Sequence, residues 1–395
     1  MPAVPVRGVS DNMDKHKKIL YISNIEVPYR VSFFNEFAKH CDLTVLYERK
    51  KSDNRDENWA KSEKRKYKTK FLSGINIKNE STFSLGIVKE IFGKYDKVII
   101  GCYNSPSQML AILLLKLFRR KYILNLDGEV FIEGKGIKTS LKKFFLRGAE
   151  KYVVAGEKAA TSLKALIKDK PIVPYYFSSL YDKEIACNSM ESTERNRTVL
   201  VVGQYFEYKG MDVALAAAKM DKTIQYKFVG MGKRTSLFKD ELMSGVENVE
   251  VVPFLEKKAL EKEYRSCMML VLPSRQECWG LVVNEAASFG TPLVSTRGSG
   301  AAVEFISDEY PQFLAEPGNS HSLYKCIRLL KESDTKEYSD YLKKKSARYS
   351  IEKSVAAHLE ACGIGNQNYD KSFGYRGYSG LQCRKVSGIL YKKCG

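Results

Sequence analysis

The feature that most constrains this chain is one alternation, run through twice. Short apolar runs rich in β-branched and aromatic residues are separated by longer segments with helical spacing. In the first half the runs are 18–23 (KILYIS), 43–47, 97–101 (KVIIG), 122–126 and 152–155, with helices expected between them at 31–40 and 108–119. The pattern restarts at 198–203 (TVLVVG) and continues through 226–229, 249–252, 269–272 and 292–295. Strands that are apolar on both faces and joined through helices belong in parallel sheets covered on both sides. The 395 residues suffice for two such domains. The fold class expected is α/β, with two doubly wound Rossmann-like domains facing a cleft and ligands at the C-terminal strand ends.

The polar run 188–197 (NSMESTERNR) has no periodicity and reads as a linker. The expected organisation is a flexible N-terminal extension over 1–16, a first domain over 17–187, the linker over 188–197, a second domain over 198–361 and a flexible tail over 362–395. Met13 stands directly ahead of the first strand and is an alternative start. The longest apolar stretch, 109–118, is broken by Lys116 and falls short of the roughly 20 residues that span a bilayer. No hydrophobic signal core opens the sequence. Nine cysteines, none in a CxxC pair, fit reduced thiols and offer no clustered zinc site. A cytoplasmic protein is expected.

Charge is uneven. The whole chain carries 65 basic and 46 acidic residues; residues 1–200 hold 37 and 23 of them, residues 201–395 hold 28 and 23. A basic first half implies an anionic partner: nucleic acid, a membrane surface or a phosphorylated substrate. Two segments concentrate it. Residues 61–70 (KSEKRKYKTK) carry six basic side chains and one acid, and residues 137–151 (IKTSLKKFFLRGAEK) put Ile137, Leu141, Phe144 and Phe145 on one helical face with Lys138, Lys142, Lys143 and Arg147 largely elsewhere. That apolar face either packs on its own sheet or lies on an anionic membrane.

The segment 271–300 (VLPSRQECWGLVVNEAASFGTPLVSTRGSG) carries the most chemistry. A buried strand ends at Leu272, a Pro-Ser turn follows, and Gly280 opens a helix. Unpaired amides at a helix start sit at the positive end of its dipole and suit phosphate. Glu277 stands just before that site and Glu285 lies about one and a half turns inside it, spaced E-x7-E. A carboxylate only accepts hydrogen bonds, so the pair suits the donating hydroxyls of a sugar; a solvated loop Glu and a surface helix Glu are the plain alternative.

The stretch 273–296 resembles the donor-site signature of retaining glycosyltransferases of the GT-B fold, specifically glycosyltransferase family 4. Residues 201–218 (VVGQYFEYKGMDVALAAA) are similar to the family's strand–glycine–Lys-Gly–helix entrance to its second domain, and 228–237 (FVGMGKRTSL) to its next strand and glycine turn. Residues 22–48 are similar to the first βα unit of bacterial polysaccharide glycosyltransferases. The resemblance implies a metal-independent, retaining hexosyltransferase that moves a sugar from a nucleotide donor to a glycan or lipid-linked acceptor, in cell-surface polysaccharide synthesis on the inner face of the membrane. Under it Glu277 binds donor-sugar hydroxyls, Glu285 the ribose, the amides of Gly280, Leu281 and Val282 the diphosphate, and Lys209 the charge of the departing nucleotide. Gly203, Gly230 and Gly232 line the same cleft. No cofactor and no metal are implied, the nucleotide sugar being a co-substrate, and no Asp-x-Asp occurs.

Two positions depart from the pattern. Gln204 stands where many relatives carry an arginine, which leaves Lys209 or Arg275 to compensate. The first loop, 24–30 (NIEVPYR), lacks the glycine pair many relatives have; Arg30 there either reaches an anionic ligand or is structural. On the acceptor side the candidate is 125–129 (NLDGE), in which Asp127 or Glu129 would orient or deprotonate the acceptor hydroxyl; an ordinary Asp-Gly turn is the alternative. Surface or capping roles are expected for His16, His40, His321 and His358. The competing functions are a nucleotide-sugar epimerase, a sugar phosphorylase and, from another class, a basic nucleic-acid-binding protein, though no nucleic acid is expected as partner.

Overall fold

The computed structural model describes residues 17–49, 63–77, 81–128, 136–190, 194–242 and 246–365. The basic stretch at 61–62, the N-terminal extension, Glu129 and the tail from 366 lie outside the described residues.

The first domain begins with β1 (Lys18–Ile25), α1 (Pro28–Phe37), β2 (Asp42–Arg49), β3 (Lys68–Phe71) and a small antiparallel hairpin of β4 (Ile75–Ile77) and β5 (Ser81–Phe83). It continues through α2 (Gly86–Ile91), β6 (Lys97–Ile100), α3 (Pro106–Leu117), β7 (Ile123–Leu126), α4 (Ile137–Leu146), β8 (Lys151–Ala155), α5 (Glu157–Leu166) and β9 (Ile172–Tyr175). Seven strands form one parallel sheet in the order β3-β2-β1-β6-β7-β8-β9. The order reverses between β1 and β6, which opens a crevice at their carboxyl ends.

The second domain comprises α6 (Asp182–Met190), β10 (Thr198–Val202), α7 (Met211–Ala218), β11 (Gln225–Val229), α8 (Thr235–Leu242), β12 (Val249–Val252), α9 (Lys257–Ser266), β13 (Met269–Leu272), α10 (Leu281–Ser288), β14 (Leu293–Thr296), α11 (Gly300–Ile306), β15 (Leu314–Ala315), α12 (Ser320–Lys331) and α13 (Lys336–Ser346). Its parallel sheet runs β12-β11-β10-β13-β14-β15, with the reversal between β10 and β13. The apolar runs are buried as their composition demands: Val199, Leu200, Val201, Met269, Leu270 and Val271 are all at most 1% exposed.

The boundary differs from the sequence expectation. Residues 188–190, expected in a linker, close α6, which packs on α10. The chain leaves the first domain earlier, just after β9, and returns after α13. There α14 (Ile351–Cys362), expected with the second domain, lies against α1, β8 and β9 of the first. The two crossings run side by side: Ile351 N donates to Leu180 O (2.9 Å), and Asp182 N to the Glu352 carboxylate (3.0 Å). Local polarity marked the loop at 188–197, but long-range pairing of 180 with 351 sets the division.

α4 does not bury its apolar face. Ile137, Leu141 and Phe144 are 88%, 49% and 44% exposed, whereas Phe145 and Leu146 pack inward. Leu113, Leu117 and Phe118 of the neighbouring α3 segment are exposed as well, and Lys116 Nζ lies 3.7 Å from the centroid of the Phe144 ring. Among the described residues no helix is long and apolar enough to cross a membrane.

Candidate functional site

The reversal between β10 and β13 brings together two loops: Gly203–Gly210 after β10 and Pro273–Gly280 after β13. Lys209 ends a short 3-10 turn (Glu207–Lys209), and Gly210 then turns the chain into α7 with a φ of +67°. A Cβ at Gly210 would stand 2.1 Å from the carbonyl oxygen of Pro273. Only glycine serves here: the backbone needs the left-handed region, and the two loops touch backbone to backbone. Arg275 N and Gln276 N donate to Tyr208 O (2.8 and 3.2 Å), which completes the junction.

That junction pairs the Lys209 ammonium with the Glu277 carboxylate. Both side chains are about four-fifths buried, and Ser274 Oγ lies 3.4 Å from the same carboxylate oxygen. The Glu277 main chain is fixed on both sides: its N–H donates to Gly298 O (2.8 Å) and its carbonyl accepts from Gly300 N (3.2 Å). Gly280 precedes α10, and Leu281 and Val282 form its half-exposed first turn. Glu285 follows on the same helix and accepts from Ser179 Oγ (2.8 Å) and Tyr264 OH (2.9 Å). Burial pushes the Glu285 carboxyl up, against those two hydrogen bonds.

The other expected residues divide. Gly203 and Gly230 lie together, since a Cβ on Gly230 would touch the Gly203 backbone at 3.5 Å; Gly232 turns the chain two residues later, its N–H on Pro253 O (2.8 Å). The Gln204 carbonyl accepts from Phe206 N in the loop that ends at Lys209. Arg275 has a partner of its own. It forms a two-pronged pair with Asp212 of α7 (2.8 and 2.6 Å) and also donates to Glu207 O. The Arg275 hydrogen bonds hold the Asp212 carboxyl low. Asp212 was invisible to sequence reasoning, because an acid in the first turn of a helix ordinarily complements the dipole. Arg234, from the turn after β11, was also passed over. Its guanidinium lies 4.2 Å above the Phe206 ring and donates to Tyr205 O (3.3 Å).

Asp127 directly follows β7 on the facing domain. Gly128, next to it, abuts the second domain so closely that a Cβ would fall 1.9 Å from Cys278 O. The loop after β7 thus rests against the residue following Glu277. Asp127 is heavily held: Arg30 pairs with Oδ2, while Tyr175 OH (2.7 Å) and Asn125 Nδ2 (2.6 Å) donate to Oδ1. Burial would raise its pKa, but the Arg30 charge and these donors outweigh it and hold the carboxyl below the ordinary value. A carboxylate so stabilised orients partners well and accepts a proton poorly. Arg30 is 6% exposed, sits over the Phe177 ring (5.1 Å) and is structural. His358, expected at the surface, is fully buried.

Residues 182–349 match the family model for glycosyl transferases group 1. That segment coincides with the part of the chain between the two crossings. An uncharacterized glycosyltransferase of Methanocaldococcus jannaschii is 27% identical over 263 residues, covering 64% of this chain and 71% of the relative. An uncharacterized 41.2 kDa protein in the cps region of Klebsiella pneumoniae is 29% identical over 253 residues, 60% of this chain and 70% of its own. Among solved structures, Anabaena HepE in complex with UDP-glucose superposes with a TM-score of 0.62 at 16% identity, over 88% of this chain and 100% of HepE. The fold is therefore that of the GT-B glycosyltransferases, two Rossmann-like domains across a cleft. Its second domain is the part that matches the model for glycosyl transferases group 1.

Proposed function

We propose that the chain is a retaining glycosyltransferase of family 4 that takes a nucleoside-diphosphate sugar and passes the sugar to a glycan or lipid-linked acceptor in cell-surface polysaccharide synthesis. The observation that carries this reading is the Lys209–Glu277 pair at the strand-order reversal, beside the start of α10 and one helix face from Glu285. Donor binding separates the pair. The diphosphate draws the Lys209 ammonium and the first amides of α10, and sugar hydroxyls donate to the Glu277 carboxylate in place of the ammonium. Ribose hydroxyls compete with Ser179 and Tyr264 for Glu285.

As the glycosidic bond breaks, negative charge grows on the phosphate oxygen, where Lys209 and the helix amides are already aimed. The departing oxygen takes the acceptor proton on the same face of the sugar. Asp127, held ionised, accepts a hydrogen bond from the acceptor and orients it. With amides and an ammonium at the diphosphate, transfer proceeds without a divalent ion.

The acceptor side carries the membrane contact of this reading. Exposed Ile137, Leu141, Phe144, Leu117 and Phe118 lie among Lys116, Lys142, Lys143 and Arg147, an apolar patch in a cationic rim suited to an anionic inner leaflet. The test is release of nucleoside diphosphate from a panel of UDP, GDP and ADP sugars, with and without EDTA. One sugar hydrolysed or transferred at an EDTA-insensitive rate supports the reading. Transfer that EDTA abolishes and magnesium restores overturns its metal-free step, and inversion at the anomeric carbon overturns its stereochemistry.

A further inference from the structure

A chain of buried polar side chains reaches Asp127 from behind the sheet. It starts at His358 on α14, whose ring lies among Phe33 (4.8 Å), Tyr175 (4.9 Å), Phe37 (6.1 Å) and Tyr21 (6.3 Å), measured between centroids. Nδ1 is 2.7 Å from the Ser354 carbonyl, Nε2 is 2.8 Å from Asn125 Oδ1, and Asn125 Nδ2 is 2.6 Å from Asp127 Oδ1.

Counting donors along this chain fixes its protons. The Ser354 carbonyl only accepts, so Nδ1 carries hydrogen. The Asn125 amide has one donating and one accepting end. With its nitrogen toward the Asp127 carboxylate, its oxygen faces Nε2, which must then carry a second hydrogen. With the amide turned over, Nε2 is satisfied as an acceptor, but amide oxygen meets carboxylate oxygen, and Asp127 must be protonated. In either orientation the three residues hold one proton beyond a neutral imidazole and an ionised carboxylate.

The surroundings decide where it rests. Arg30 of α1 pairs with Asp127 Oδ2, and Tyr175 of β9 donates to Oδ1; both donors favour the ionised carboxylate. The proton therefore belongs on the imidazole. Burial opposes this most strongly and the Arg30 charge works the same way, so that His358 is pushed down to about 4 even against the Ser354 carbonyl and the Asp127 charge. What places the proton on the ring is the hydrogen-bond count, in which each ring nitrogen faces an oxygen acceptor. Other titratable groups near the network are the hydroxyls of Tyr21 on β1, Tyr175 on β9 and Tyr29 on α1, and the thiols of Cys102 after β6 and Cys278 of the second domain.

We infer that His358 is a positioning residue: as an imidazolium it holds Asn125, and through Asn125 it keeps the Asp127 carboxylate aimed and accepting at the acceptor edge of the cleft. The inference rests on the reading of Asp127 as the acceptor-side carboxylate. It ties a helix distant in sequence from the first domain to the orientation of the acceptor.

Two measurements on the full chain test it. The ring-nitrogen NMR spectrum of 15N-labelled protein at neutral pH, with His358 assigned by its loss in His358→Gln, is expected to show both nitrogens protonated. A neutral tautomer with bare Nε2 overturns the inference, whatever the enzyme does. The second measurement is UDP release from UDP-glucose as a function of pH. Wild type is expected to lose turnover at alkaline pH as the imidazolium deprotonates; glutamine donates to Asn125 at every pH, so His358→Gln should keep turnover within about threefold and lose that alkaline fall, whereas His358→Phe should lose about tenfold in kcat with UDP affinity unchanged. An alkaline fall that persists in His358→Gln overturns the positioning role. Should His358→Phe fail to fold, the nitrogen spectrum and the glutamine variant decide. Absence of nucleoside diphosphate release by wild type from every sugar of the UDP, GDP and ADP panel counts against the proposed function and leaves the spectrum to decide this chain.

Discussion

Lys209 and Glu277 neutralise each other in the ligand-free protein, yet they act at different moments of the proposed reaction. Glu277 meets hydroxyls present in ground and transition states alike, so Glu277→Gln should damage both donor-sugar recognition and turnover while leaving UDP affinity nearly intact. Lys209 meets charge that grows during bond breaking, so Lys209→Ala should lower turnover by on the order of a hundredfold, more than it weakens donor binding. Steady-state kinetics separate the two, and a Lys209→Ala effect confined to KM would make it a docking residue. Arg275 is engaged with Asp212, and Arg234 lies over Phe206 in the loop that carries Lys209. Glu285 adds a pH signature. Its folded-state carboxyl lies above the ordinary value, so its protonated form favours folding at acid pH, and that contribution is lost as pH rises through the folded value. Ribose needs the ionised form. UDP affinity should therefore fall as pH drops through the raised value, and Glu285→Ala should cost about 1.5–3 kcal/mol and abolish the pH dependence. Calorimetry with UDP reads both.

At the scale of elements, the loop between β10 and α7 has little freedom. Gly210→Ala would force a left-handed residue with a Cβ against Pro273 O, so the loop carrying Lys209 must move. The strain is worth about 1–2 kcal/mol, and the expected result is a lowered melting temperature with a larger loss in turnover than in UDP affinity. Thermal unfolding and kinetics on the same variant check it. These elements also show what the sequence could tell. Strands such as Thr198–Val202 and Met269–Leu272 announce themselves, since each is a local run whose burial needs no knowledge of its neighbours. The turn residues and the E-x7-E spacing were legible for the same reason. The hairpin of β4 and β5 went unseen, being only three residues per strand. Asp212, Ser179, Tyr264 and His358 were illegible as site residues: each gains its meaning from a partner 21 to 233 positions away. Nothing local distinguishes a histidine on a C-terminal helix from one that caps or faces solvent.

For the molecule as a whole, the proposed membrane contact makes the exposed faces of α3 and α4 the side turned toward a bilayer. Replacing Lys142, Lys143 and Arg147 with Glu should abolish co-sedimentation with anionic liposomes while leaving UDP release from UDP-glucose unchanged in solution, each charge near the surface being worth about 1 kcal/mol. Binding indifferent to lipid charge would remove the membrane from the account. The two domains also meet through polar contacts away from the site. Glu304 of α11 accepts from the first amides of α5 (3.1 and 2.9 Å), and Asn284 Nδ2 donates to Phe177 O (2.9 Å).

The paired crossings near Leu180 and Ile351 have a mechanical consequence. The second domain is an insertion into the first, attached by two neighbouring tethers. A body held by one tether can twist and tumble about it; held by two that hydrogen-bond to each other, it keeps essentially one easy rotation, about the line through both. Relative movement of the two domains is thereby limited to a single arc, and the close approach of Gly128 to Cys278 is set in part by where the chain changes sides.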